Sequence, residues 1–248
     1  MKKFGLIGFP LSHSFSQKYF TQKFEQLGLA DHQYNLYPIE EAKMLLDIIN
    51  NDHDLVGINV TIPHKIAVMP LLDTLDDVAK GVGAVNVIKI TRNEFGKVVL
   101  TGSNSDVVGF RESLRPLLKP SHKKALILGT GGASKAVEYA LNELGITYKF
   151  VSRTAAQNNY TYEQLSGELM KEYSVIINCS PLGTYPNIDA CPTIPYEFLT
   201  SNHLLYDLVY NPEETLFMKK GKEKGAIVKN GLEMLHLQAE RSWEIWNK

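Results

Sequence analysis

One stretch limits the possible folds more than any other. Lys124 to Leu128 is a short apolar run that passes directly into Gly129-Thr130-Gly131-Gly132-Ala133-Ser134. Apolar residues then recur at helical spacing as far as Leu144, Gly145 stops them, and a second apolar run covers Tyr148 to Val151. Strand, glycine turn, helix and second strand make a βαβ unit. In such a unit the glycines allow a tight turn and leave the helix N-terminus open to a pyrophosphate. The spacing predicts a Rossmann-like, doubly wound dinucleotide-binding domain. Gly129, Gly131, Gly132 and Ala133 form its phosphate loop, and Ser134 fills the third glycine position.

The end of the second strand bears on which dinucleotide is bound. A carboxylate there would bind the ribose 2′-OH of NAD, but the chain reads Ser152-Arg153-Thr154. An arginine flanked by hydroxyls suits the 2′-phosphate of NADP. Arg153 can also be read as a merely exposed arginine. Further on, Val175 to Asn178 reads as a buried strand ending in Asn178-Cys179-Ser180-Pro181-Leu182-Gly183. That strand-end loop lies where open α/β sheets bind ligands, which makes Asn178 and Ser180 candidates.

The first hundred residues carry a second focus. Leu55 to Val60 reads as a strand that stops at Pro63, and Asn59, Thr61 and Lys65 cluster around its end. An amide, a hydroxyl and an ammonium suit a small, hydroxylated, anionic ligand. They also suit a turn with a solvated lysine. Nearer the N-terminus, Ser12, Ser14 and Ser16 precede or open a helix marked by Phe15, Tyr19, Phe20, Phe24 and Leu27, with Gly28 as its stop. One serine suffices as an N-cap; three hydroxyls at a helix start favour an anion such as a carboxylate. Asn86 interrupts an apolar run and must find partners, either as a structural clamp or as a ligand contact. Asp106 opens a helix read over Val107 to Leu118, where a carboxylate also compensates the helix dipole. Other helices are read over Glu40 to Asn50, His64 to Leu72 (ended or kinked by Pro70) and Glu213 to Lys224. A last helix places Leu232, Leu235, Ala239 and Trp243 or Trp246 on one face. Strands alternating with helices indicate mostly parallel α/β layers.

Bulk properties exclude several classes. A net charge of -1 over 248 residues leaves no strong field for nucleic acid or membrane. No apolar run is long enough to span a bilayer. Cys179 and Cys191 make no metal-ligand pattern and no disulfide framework, which fits a reducing cytosol and a cytoplasmic protein without a metal. A small-molecule substrate remains as the partner, and nothing separates a monomer from a homodimer.

The ordered set of motifs resembles the shikimate dehydrogenase family over nearly the whole chain. The set comprises Gly8-x-Pro10-x-x-His13-Ser14-x-Ser16, Asn59-Val60-Thr61-x-Pro63-x-Lys65, Gly83-Ala84-Val85-Asn86, Asn104-x-Asp106-x-x-Gly109 and Gly129-x-Gly131-Gly132-Ala133. It continues with Asn178-x-Ser180-Pro181-x-Gly183, Asp207-x-x-Tyr210-x-Pro212-x-x-Thr215 and Met234-Leu235-x-x-Gln238-Ala239. The resemblance implies an open α/β substrate domain over 1–104, joined by the C-terminal helix 231–248, a dinucleotide-binding domain over 105–230, and a cleft between them. It implies that Ser14 and Ser16 hold a substrate carboxylate, with Tyr210 near it. Asn59, Thr61, Asn86, Asp106 and Gln238 would hold ring hydroxyls, Lys65 and Asp106 would form the catalytic pair, and Gly231 would join the cofactor-binding residues. The implied reaction is reversible reduction of 3-dehydroshikimate to shikimate by NADPH.

Some positions depart from the family pattern. Ser152 stands where an asparagine is often found, Ala155, Ala156 and Gln157 where a second basic residue is common, Thr184 for a usual methionine and Ser105 for a threonine. A weaker 2′-phosphate clamp leaves NAD possible. The alternatives are an NAD-using quinate or shikimate dehydrogenase, a folate-type dehydrogenase that the serine pair argues against, and a catalytically silent nucleotide-binding regulator.

Overall fold

The computed structural model describes residues 1–11, 14–156 and 159–248. The chain forms two compact units, Met1–Ser105 with Ala239–Lys248, and Asp106–Gln238.

In the first unit, strands β1 (Lys2–Gly8), β2 (His32–Pro38), β3 (Leu55–Val60), β4 (Thr74–Leu75), β5 (Val87–Arg92) and β6 (Val98–Ser103) form one sheet in the order β2-β1-β3-β5-β6-β4. The β1, β2 and β3 pairings are parallel, whereas β5 pairs antiparallel with both β3 and β6. Helices α1 (Phe15–Gln26), α2 (Met44–Asn51) and α3 (Asp77–Val82) connect them. Ile7, Leu45, Ile49, Leu55, Ile58 and Ile88 fill one core. Phe4, Phe20, Phe24, Tyr34 and Trp246 fill another, built largely of stacked and tilted rings. Trp246 explains Gly57 in the middle of β3. A side chain there would begin 2.5 Å from the indole Nε1, which donates to the Ile88 carbonyl at 3.1 Å.

The helix expected over His64 to Leu72 does not form. Residues 62–68 are turns, followed by a single 3-10 turn at Met69–Leu71. Pro70 has no N–H to offer the Ile66 carbonyl, which takes the Met69 N–H instead at 3.1 Å, while the Lys65 carbonyl accepts from Val85 N–H at 2.8 Å. Proline and a tertiary hydrogen bond together reduce the i to i−4 ladder to one bond, from Val68 N–H to the His64 carbonyl at 3.0 Å.

In the second unit, β7 (Lys124–Leu128), β8 (Thr147–Ser152), β9 (Asn159–Thr161), β10 (Val175–Asn178), β11 (Leu204–Asp207) and β12 (Ile227–Lys229) make a wholly parallel sheet in the order β12-β11-β10-β7-β8-β9. Its helices are α4 (Asp106–Leu114), α5 (Gly132–Glu143), α6 (Gly167–Glu172) and α7 (Leu216–Glu223), with α8 (Leu232–Asn247) closing the chain. The order runs outward from β7 and β10 in both directions, the reversal at which open α/β sheets form a ligand crevice. The family resemblance assigns 231–248 to the first domain; the division of the units falls inside α8, at Gln238 and Ala239. The early turns of α8 lie on α4, with the Met234 carbonyl 2.6 Å from where a Gly109 side chain would begin. The last turn belongs with Gly57 through Trp246. No helix among the described residues is long and apolar enough to cross a membrane.

Candidate active site

The first unit gathers its polar candidates at the ends of β3 and β5. Two main-chain ties and one from a side chain hold the turn that carries Lys65. Thr61 N–H reaches the Ile7 carbonyl at 2.9 Å, the His64 ring Nε2 lies 2.7 Å from the Ile39 carbonyl, and Val85 N–H reaches the Lys65 carbonyl at 2.8 Å. Lys65 and Thr61 are half-buried on this frame. The lysine backbone is thus anchored to the ends of several strands although its own segment is not a helix.

Behind the turn lies a buried hydrogen-bonded network. Ser16 bonds to the Tyr34 hydroxyl, which donates to Asn59 Oδ1 at 2.8 Å. Asn59 Nδ2 donates to the Asn86 carbonyl at 3.3 Å and to Ser242 Oγ at 3.0 Å. Ser242 Oγ is 3.2 Å from Ser105 Oγ. Ser105 donates its N–H to Asn86 Oδ1 at 2.7 Å, and Asn86 Nδ2 donates to Ser105 Oγ at 3.0 Å. Burial pushes the Tyr34 phenol up, partly offset by Ser16, so it stays protonated and serves as a fixed donor. Both Nδ2 hydrogens of Asn59 are engaged, so a ligand hydroxyl could meet this side chain only as a donor to the remaining lone pair of Oδ1. Asn86 engages one Nδ2 hydrogen in the same way and keeps the other. Asn86 is therefore a structural clamp and can also be a ligand contact.

Ser14 is the N-cap of α1, accepting Gln17 N–H at 3.3 Å, and the first turn carries no acidic residue. Its hydroxyl hydrogen still points to an anion role at a positive helix end. Ser12, His13 and Gln157, also named from the sequence, lie outside the described residues.

The second unit holds the other candidates. Asp106 is the first residue of α4, and Gln238, buried in α8, lies against the next turn of that helix at Gly109. Tyr210 follows β11 and is exposed. A cavity of about 630 Å³ opens at the β7 and β8 ends, lined by Gly129, Gly131, Ser152, Arg153, Thr154 and Ser180 among others. Gly129 has φ +104, a conformation that favours glycine, while side chains added at Gly131 or Gly132 would enter open space. Glycine loop, helix N-terminus and cavity together fit a dinucleotide pyrophosphate. Arg153 is the only cationic side chain among the described residues lining the cavity.

Four predicted cofactor residues stand back from the cavity wall, the first of them Gly132, which opens α5. Ala133 lies within the first turn of α5. Asn178 is buried beside Asp207, its partner in the β10–β11 register, donating to Asp207 Oδ1 at 2.9 Å. Its Oδ1 accepts Ser180 N–H at 3.0 Å and Ser180 Oγ at 2.6 Å, which shapes the loop that does reach the cavity. Gly231 is a close approach, since a side chain would begin 2.2 Å from the Leu208 carbonyl. Sequence reasoning missed Tyr34, Ser242, Tyr162 and Thr193, the last two on the cavity wall. Tyr34 and Ser242 sit in a strand and a helix where nothing in the pattern marks them.

Residues 6–88 match the shikimate dehydrogenase substrate binding domain. The chain is 35% identical to a shikimate dehydrogenase (NADP(+)) of Methanococcus aeolicus over 99% of this chain and 91% of the relative. It is similar to a solved shikimate dehydrogenase in complex with NADP+, with 33% identity, a TM-score of 0.84, and coverage of 99% of this chain and 90% of that one. A further structure, the Thermus thermophilus shikimate 5-dehydrogenase in complex with NADP(H) and shikimate, is 30% identical with TM-score 0.84, covering 99% and 93%.

Proposed function

The chain belongs to the shikimate dehydrogenase family, and from that premise we propose that it catalyses the reversible, NADPH-dependent reduction of 3-dehydroshikimate to shikimate. The observation that carries this reading is that the similarity runs through the whole chain, so the polar network and the glycine loop are included together.

In this reading Ser14, Ser16 and the α1 N-terminus bind the substrate carboxylate, with Tyr210 near it. Asn59 accepts from a ring hydroxyl through Oδ1, Asn86 donates through its remaining Nδ2 hydrogen, and Thr61, Asp106 and Gln238 contact the other hydroxyls. NADPH supplies the hydride. Gly129, Gly131 and Gly132 would hold its pyrophosphate with backbone N–H groups, and Arg153 with Ser152 and Thr154 its 2′-phosphate. As negative charge grows on the C3 oxygen, Lys65 stabilises it and delivers a proton, while Asp106 positions the ammonium and the substrate hydroxyl. In the oxidative direction the same lysine takes the proton back.

Arg153 without a second cation among the described wall residues favours a second reading, an NAD-using quinate or shikimate dehydrogenase. The test is reduced-cofactor formation by the purified protein with shikimate or quinate, each with NADP and NAD. Fastest turnover with shikimate and NADP is expected. Faster turnover with NAD or quinate moves the protein to the second reading. A folded, cofactor-binding protein that turns over none of the four pairs refutes both.

A further inference from the structure

We infer that Ser242 is a positioning residue for substrate: its hydroxyl sets the orientation of the Asn59 amide and, through Ser105, that of Asn86. The inference deepens the proposed function and rests on it.

Ser242 is fully buried in the last helix, on a face otherwise marked by Ala239 and Trp246. A buried helical position that only has to pack is better served by alanine, which needs no hydrogen-bond partner and loses no side-chain entropy. The serine hydroxyl there reaches two polar side chains, Asn59 and Ser105, among its partners. It accepts from Asn59 Nδ2 at 3.0 Å and lies 3.2 Å from Ser105 Oγ. Ser105 is likewise fully buried and holds both ends of the Asn86 amide, by its N–H on Oδ1 at 2.7 Å and its Oγ on Nδ2 at 3.0 Å. One hydroxyl thus touches Asn59 directly and reaches Asn86 through Ser105, the two asparagines assigned to the ring hydroxyls.

An asparagine side chain presents either its oxygen or its nitrogen to a site, and the two are nearly equal in shape. At Asn59 the choice is fixed from both sides. Tyr34 O–H faces Oδ1 at 2.8 Å, and the acceptors Asn86 carbonyl and Ser242 Oγ face Nδ2. Removing the Ser242 hydroxyl leaves Nδ2 with only the longer contact, 3.3 Å to Asn86. The amide can then rotate, and the lone pair of Oδ1 that meets the substrate is no longer held in place. Such a change affects binding of the ground state and the transition state alike, so it raises KM and spares kcat.

The experiment uses the full chain with shikimate and NADP, comparing wild type, Ser242→Ala and Ser242→Thr. The alanine variant is expected to raise KM for shikimate about tenfold, with kcat and KM for NADP each within about twofold of wild type. The threonine variant, which restores the hydroxyl, is expected to recover most of the loss. Unchanged KM for shikimate in Ser242→Ala overturns the inference. So does a joint loss in kcat and in KM for NADP together with a lowered melting temperature, which would mark a purely structural serine. If threonine cannot be packed, Ser242→Ala alone decides by the same split. Absence of turnover and of shikimate binding in wild type would refute the proposed function itself. Normal wild type with an unaffected alanine variant would refute only the role of Ser242.

Discussion

The two units prepare for their ligands by opposite means. In the first, the two asparagines assigned to substrate are held largely by other side chains, in a buried network from Tyr34 to Asn86. In the second, the cavity is shaped by backbone, with glycines whose missing side chains leave the space open. Its buried polar cluster, Asn178, Asp207 and Thr215, lies behind the wall and braces a loop. The difference follows from the ligands. A small ring with several hydroxyls is told from its isomers only by donors and acceptors at fixed places, because a polar group left unpaired costs binding. A pyrophosphate needs charge complementarity and close approach, which main-chain N–H groups at a helix start supply.

The contrast can be broken at several points. The largest effect is expected at the proposed proton donor. Lys65→Met should lower kcat by ~10²- to 10⁴-fold with little change in KM for shikimate; steady-state kinetics with KM raised and kcat intact would remove the lysine from the chemistry. Next comes the brace. Burial pushes the Asp207 carboxyl up to about 6 against hydrogen bonds from Thr215, Val209 N–H and Asn178. Between the ordinary carboxylate value and about 6 the folded state holds a proton that the unfolded state has released. Stability should therefore fall as pH rises through that window, by about 3 kcal/mol for this group. Urea unfolding from pH 4 to 7 should show this component in wild type and lose it in Asp207→Asn; identical slopes would contradict it.

On the glycine side, Gly131→Ala places a methyl in open space on an ordinary backbone, so the melting temperature should hold while KM for NADP rises by ~10-fold, about 1.4 kcal/mol. A loss of stability without a cofactor effect would show that the loop is structural and not a cradle. The smallest change is expected at the exposed arginine. Arg153→Ala should weaken NADP about fivefold to tenfold, as expected for one solvent-screened charge-assisted contact, and leave NAD unchanged. Equal loss for both cofactors would take Arg153 away from the 2′-phosphate.

These asymmetries also decided what could be read from the sequence. The βαβ unit was legible because its local signals agree. Lys124 to Leu128, the glycines and Gly145, with φ +68, all specify one conformation. Lys65 was marked as a candidate by its neighbours, although the helix expected around it is absent. The competing hydrogen bond from Val85 arises twenty residues away and has no local signature. Asn59 and Asn86 stood out as polar residues in apolar strands. What holds them did not, because Tyr34 and Ser242 are ordinary residues of an amphipathic strand and helix until the chain brings them to the same place.

The indole of Trp246 resting on Gly57 has a consequence for how the protein is made. The strand is synthesised well before the ring that covers it, which is encoded nearly two hundred residues later, after the whole second unit. A growing chain can complete the parallel sheet of the second unit while Phe4, Phe20 and Phe24 still lack their tryptophan. The unit that starts first is therefore completed after the other, when Trp246 on α8 joins its aromatic core.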